Sequence, residues 1–257
     1  MEHSISTAQP IPTGAIVKHV EFTRPFHWLG LGWDDLKQNP LPSIFHGLIL
    51  AALGWLIFVI CSTQIELLAL SVSGFLLVGP IFGAGFYALS KMRTNRQKAS
   101  FDTSLDAAIK NIGSLARLGG VLAIIAIVWA IASDVMFRQE FGGQLPEIEI
   151  SFYRTIFEWQ NPGFVATYLA TGAILAVLAF LISAVSAPMI FDRGGSTRAA
   201  IATSMKAVAM NPLAMALWAA LIVVLTIFGF ATLMAGMIIV LPLIGHATWH
   251  AYKDLVE

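Results

Sequence analysis

Residues 213–249, LAMALWAALIVVLTIFGFATLMAGMIIVLPLIGHATW, contain no Asp, Glu, Lys or Arg. As one helix rising 1.5 Å per residue they would reach about 55 Å, nearly twice a bilayer core about 30 Å thick. A stretch of that length and composition must fold back on itself. The turn is expected near Gly229, Phe230 and Ala231, giving two spans of about 18 residues each. Lipid admits only backbone whose hydrogen bonds close internally, and runs this long are helices rather than the short alternating strands of a barrel.

Four more apolar segments follow from the same reading. They cover residues 41–61, 67–89, 115–132 and 164–191. The first two are joined by a short polar turn ending at Glu66. Arg117 lies close enough to the start of the third to snorkel to the headgroups. Composition agrees, with 57% apolar and only 12% charged residues in a 257-residue chain. A water-facing domain usually commits about a quarter of its residues to charge. The expectation is an all-α membrane protein with six transmembrane helices.

Charge placement orients the bundle. With the N-terminus inside, every lysine and arginine except Arg138 and Arg154 falls on the cytoplasmic side, thirteen of the fifteen. That asymmetry supports an even number of spans with both termini in the cytoplasm. Residues 1–26, polar and without an apolar core before a cleavage site, read as a flexible cytoplasmic N-terminus, and 27–257 as a single six-span membrane domain.

An internal repeat organises that domain. Asn39, Asn111 and Asn211 each precede a span, two of them followed by Pro40 and Pro212. Ten, six and three residues before each asparagine stand Leu29, Trp33, Leu36; Phe101, Leu105, Ala108; and Ile201, Met205, Val208. These spacings put each trio on one helical face. Each unit, about 27–92, 100–193 and 197–254, is expected to be a short amphipathic cytoplasmic helix followed by a two-span hairpin. The returning spans carry Pro80, Pro188 and Pro242, and with Gly79, Gly83, Gly85 and Gly245 these residues could kink the helices around a cavity or, as we favour, pack them closely.

Residues 24–36, RPFHWLGLGWDDL, then 39–43, NPLPS, and 73–90, SGFLLVGPIFGAGFYALS, carry a family likeness. The chain resembles the bacterial integral-membrane family catalogued as domain of unknown function 2189, over nearly its whole length. Some members are labelled cytochrome c oxidase subunits. The resemblance implies a bacterial inner-membrane protein and an accessory place beside the respiratory chain. It assigns no functional residue. A catalytic oxidase subunit has about twelve spans and several buried histidines for haem and copper, which this chain does not offer.

Histidine is the one residue type here with metal-ligating chemistry to weigh. His246 and His250 stand four apart on one helical face, and His46 is expected at the same membrane depth, so the three form a candidate metal site. Interfacial histidines among Trp249, Tyr252 and Lys253 are the plainer account. The spans contain no ionisable carboxylate or amine of the kind that marks a proton or ion path. The outer loop 133–162 alternates acidic and aromatic residues, and Cys61 is a lone thiol at the outer end of the first span. No cofactor is expected, nor is an enzymatic signature or a basic surface suited to nucleic acid. The partners expected are membrane lipids and other membrane proteins. The sequence therefore reads as a non-enzymatic scaffold or accessory subunit, with a lipid-handling carrier and a haem or metal protein as the rival functions.

Overall fold

The computed structural model describes residues 15–63, 68–142, 161–232 and 234–257. Within them the chain is helical: α1 (Arg24–Gln38), α2 (Pro40–Thr63), α3 (Leu68–Thr94), α4 (Phe101–Lys110), α5 (Ile112–Phe141), α6 (Pro162–Ser183), α7 (Ser186–Arg193), α8 (Thr197–Met210), α9 (Pro212–Ala231) and α10 (Met237–Leu255). Four stretches are long and apolar enough to cross a membrane: Pro40–Ile57, Ile112–Glu140, Pro162–Arg193 and Pro212–Ala231. Two further helices, α3 of 27 residues and α10 of 19, bring the chain back alongside them.

The core lies at one end, here called the base. Trp28, Leu89, Leu115, Met189, Trp218, Tyr252 and Leu255 are fully buried there. Away from the base the helices turn large apolar side chains outward, among them Ile124, Ile131, Ile174, Val224 and Ile227. Such a distribution is costly in water and natural in hydrocarbon.

Three asparagines shape the base. Asn39, Asn111 and Asn211 each end a short helix and lead directly into a long one. Asn39 and Asn211 share nearly one backbone conformation, φ −127°, ψ 56° and φ −127°, ψ 52°. Pro40 and Pro212 then open α2 and α9, where the missing N–H has no intrahelical acceptor to lose. In the short helices the residue seven before each asparagine, Gly32, Ser104 or Ser204, is buried, whereas Trp33, Leu105 and Met205 are 46%, 38% and 46% exposed. The small residues let each helix pack closely; of each apolar trio the middle member, Trp33, Leu105 or Met205, turns outward, while Leu36 and Ala108 are buried.

Helices α1, α2 and α10 pack closely. A Cβ on Gly32 would lie 2.7 Å from the backbone nitrogen of Ala247, and one on Gly47 would lie 2.9 Å from the Pro242 ring. Gly54, two turns farther along α2, faces Met234, so α2 and α10 run antiparallel. At the base, Val17 pairs with Val256 in an antiparallel bridge, with Lys18 N donating to the Leu255 carbonyl at 2.9 Å and Glu257 N to Ile16 at 3.0 Å. Asn211 clamps the same N-terminal segment. Its amide oxygen accepts from Val20 N at 2.9 Å and its nitrogen donates to the Lys18 carbonyl at 2.9 Å.

Two sequence expectations are corrected. The segment 164–191 is not one helix: the chain turns at Ala184–Val185 between α6 and α7. Pro188 offers no N–H to the carbonyl four residues earlier, so the helix cannot run through it undisturbed. Ser204 of α8 accepts the Val185 N–H at 3.1 Å, which stabilises a break where a kink was expected. Pro80 and Pro242, by contrast, stay inside continuous helices. The loop expected from Ser133 begins instead as the last turns of α5, which ends on Gly142 in the left-handed conformation, φ 67°. Residues 1–14, Glu66, the remainder of that outer loop through Trp159 and the Cys61 side chain lie outside the described structure.

Candidate functional site

Helix α1 buries the face that carries Pro25, Trp28, Gly32, Asp35 and Leu36. Asp35 lies at the centre of that face, 1% exposed, where a carboxylate must be paired or protonated. Three side chains converge on it. Arg93 of α3 forms an ion pair with Oδ1, Ser90 Oγ donates to Oδ2 at 2.5 Å, and His250 Nε2 lies 2.8 Å from Oδ2. Arg93 also donates to Gln38 at 3.0 Å, fixing the guanidinium over the end of α1. Burial alone would raise the Asp35 carboxyl, but the hydrogen bonds from His250, Ser90 and Arg93 outweigh it and hold it below the ordinary carboxylate value.

Ser90 links this carboxylate to a second buried group. Its oxygen is 2.8 Å from His246 Nδ1, and Ser43 Oγ of α2 is 2.9 Å from His246 Nε2. The proton inventory sets the directions. Ser90 gives its one proton to Asp35, so it accepts from His246 Nδ1–H, and Nε2 in turn accepts from Ser43. The same count applies to His46. Ser104 donates to the Phe101 carbonyl at 2.7 Å, so His46 Nε2, 2.8 Å from Ser104 Oγ, carries the proton it donates.

Phe86 separates the two imidazoles, its ring 5.6 Å from His46 and 5.7 Å from His246. Glycines make the room. A Cβ on Gly245 would stand 2.5 Å from Phe86 Cδ2, and one on Gly85 would stand 2.7 Å from His46 Cε1. Of the residues considered as kinks, Pro80, Pro242 and Gly245 are buried by neighbouring helices, Gly79 and Gly83 are half-buried, and Pro188 sits in α7 after the break.

The three candidate metal ligands are thus brought to one region, but with their nitrogens engaged by hydroxyls and a carboxylate. Among the described residues no three His, Cys, Asp or Glu side chains are grouped to hold a metal ion. Ser43, Ser90 and His246 are fully buried, so no dissolved substrate reaches the hydroxyls. The arrangement joins α1, α2, α3 and α10 through a directional hydrogen-bond chain that ends on a charged pair.

A second polar ring surrounds it at the base. Asp254 accepts from Arg24 Nε at 2.6 Å and Trp28 Nε1 at 2.8 Å. Asp192 receives Lys91 at 2.7 Å, Lys253 at 3.3 Å and the Tyr252 hydroxyl at 2.9 Å. Arg193 donates to Tyr252 Oη at 2.9 Å and to the Glu257 carbonyl at 3.1 Å. Sequence reasoning singled out none of Asp35, Ser90, Arg93, Ser43 or Ser104. The available signal was helical spacing: Trp28, Gly32 and Asp35 fall on one face, which a search for large apolar residues passes over.

Residues 67–192 match the family model described as "Predicted integral membrane protein (DUF2189)". Across those residues the chain resembles the DUF2189 family. No curated protein and no solved structure matches the chain. The DUF2189 segment supplies Ser90, Arg93, Ser104 and Asp192, while Asp35, Ser43, His46, His246 and His250 lie outside it. The match is shorter than the resemblance implied, and residues 24–43 fall outside it.

Proposed function

We propose that this chain is a non-enzymatic integral-membrane scaffold, an accessory subunit of a membrane complex in the bacterial inner membrane, built as three two-span hairpins on a cytoplasmic base. Helices α2, α5 and α9 leave the base and α3, α6 and α10 return to it, so each outward crossing has an inward partner. An even number of crossings agrees with the pairing of Val17 and Val256, which joins the two ends of the described chain. The excess of lysine and arginine at the base favours the cytoplasm for that side. Outward-turned Trp33, Leu105 and Met205 on α1, α4 and α8 suit three reiterated helices seated at the headgroup level.

One observation carries the scaffold reading. Only 11% of the candidate span Ile112–Glu140 and 22% of Pro212–Ala231 is buried by the rest of the chain. These lateral faces are left for lipid or for helices of another protein, while a cross-tied base holds them at fixed positions. Phe86 fills the space beside Gly245, and Pro80 and Pro242 are packed in, which favours a scaffold over a carrier. Affinity purification in mild detergent, with mass spectrometry of proteins and lipids, tests the reading. A membrane-protein partner recovered in stoichiometric amount is the expected result, and oxidase subunits among the partners would tie the scaffold to respiration. A preparation containing this chain and lipid alone would overturn it.

A further inference from the structure

The C-terminal end of α3, the end of α4 and α7 enclose a crevice of about 260 Å³ at the base. Its polar lining comes from Lys91, Asn95, Gln97, Lys110 and Asn111, with Phe191 forming one apolar wall. A liquid water occupies about 30 Å³, so the space exceeds that of several waters and admits a glycerophosphate group. We propose that this crevice binds the phosphodiester headgroup of an anionic phospholipid.

Charge supports that occupant. Lys91 reaches Asp192 at 2.7 Å and lies over the Phe191 ring, so much of its charge is answered within the protein. Lys110 forms no ion pair with any described residue; Asp106, one turn earlier on α4, does not engage it. Asp192 is shared by Lys91 and Lys253, so with Lys110 the crevice keeps a net positive charge that suits an anionic headgroup. The surroundings select a lipid over a dissolved ester. Ile109 and Ile112, the residues on either side of Lys110 and Asn111, are 52% and 46% exposed and offer apolar surface for acyl chains. Basic pockets between helices on the cytoplasmic side of membrane proteins hold anionic headgroups in this way.

The test uses the full chain, purified in mild detergent, washed free of lipid and titrated with phosphatidylglycerol or phosphatidylcholine under native mass spectrometry. Phosphatidylglycerol is expected to bind more tightly than phosphatidylcholine. Lys110→Ala should weaken it about fivefold, as expected for one basic residue at a membrane surface. Lys206→Ala, at an exposed cation of α8 outside the crevice, should leave binding unchanged, and both variants should melt at the temperature of the parent protein. Equal binding of the two lipids, or unchanged phosphatidylglycerol binding in Lys110→Ala, would overturn the proposal. So would displacement of the lipid by millimolar inorganic phosphate, which would assign the crevice to a soluble ester.

Discussion

His250 and Asp35 stand 215 residues apart in the chain and 2.8 Å apart in the fold. The contact ties the last helix to the first, and Arg93 and Ser90 bring α3 to the same carboxylate. The base is held together by a charge that only these neighbours can satisfy.

Asp35→Asn is therefore expected to destabilise the protein far more than its small change in volume implies. The amide leaves Arg93 without its counter-charge and no longer accepts all three donors. Breaking a buried pair from one side costs about 3–5 kcal/mol when both charges are enclosed, and somewhat less here because Arg93 is partly exposed. Thermal unfolding in detergent should show the loss. Asp35→Leu combined with Arg93→Met should recover much of it, because no charge is then left unpaired.

Acid should act on the same group. The folded carboxyls of Asp35 and Asp254 lie below their ordinary values: burial raises each, but the donors around Asp35, and Arg24 and Trp28 around Asp254, outweigh it. A depressed carboxyl stabilises the fold above its unfolded value, near pH 4, and that contribution disappears as pH falls through the folded value. Melting temperature should be flat from about pH 7 to 5 on account of these groups and fall below about pH 4. In Asp35→Asn the acid-dependent drop should be smaller.

The two glycine positions Gly245 and Gly30 should respond oppositely to alanine. At Gly245 the new methyl would meet Phe86 at 2.5, 2.7 and 2.8 Å, and that ring is held between two imidazoles with little room to retreat. Overpacking of this kind costs about 1–3 kcal/mol. At Gly30, on the exposed side of α1, nothing lies within 4 Å, so alanine should be neutral or stabilise the helix by up to about 1 kcal/mol. A melting temperature for Gly245→Ala equal to that of Gly30→Ala would contradict the close packing around Phe86.

How much of this was legible beforehand depends on the kind of signal. That 213–249 folds back into two helices follows from length and missing charge, and the turn residues seen at Thr232 and Met234–Gly236 lie just beyond the expected place. Asp35 was hidden because Asp34 beside it has the same chemistry; a rotation of about 100° along the helix decides which enters the core. His246 and His250 stood out by their spacing, which shows a shared face but not what lies opposite it. Serines of α2 and α3 lie opposite His246, and Asp35 of α1 lies opposite His250; single serines carry almost no sequence signal. Pro188 signalled a disturbed helix, but whether that becomes a kink or a break depended on Ser204, a residue sixteen positions away.

The last expectation concerns the clamp on the N-terminal segment. Asn211 accepts from Val20 and donates to the carbonyls of Lys18 and Ala207, so its side chain satisfies backbone groups on two segments at once. Asn211→Ala would leave the Val20 N–H and the Lys18 carbonyl without those partners, at about 1–3 kcal/mol for each group kept from water. The segment has a cheaper alternative, which is to detach. Its remaining attachments include the Val17–Val256 bridge, whose valines are buried, and the exposed Lys18–Glu257 ion pair at 3.2 Å. The variant should therefore lose global stability only modestly but become sensitive to trypsin at Lys18 under native conditions. Cleavage at the parent rate, with an unchanged melting temperature, would mean that the bridge to Val256 suffices to hold the segment.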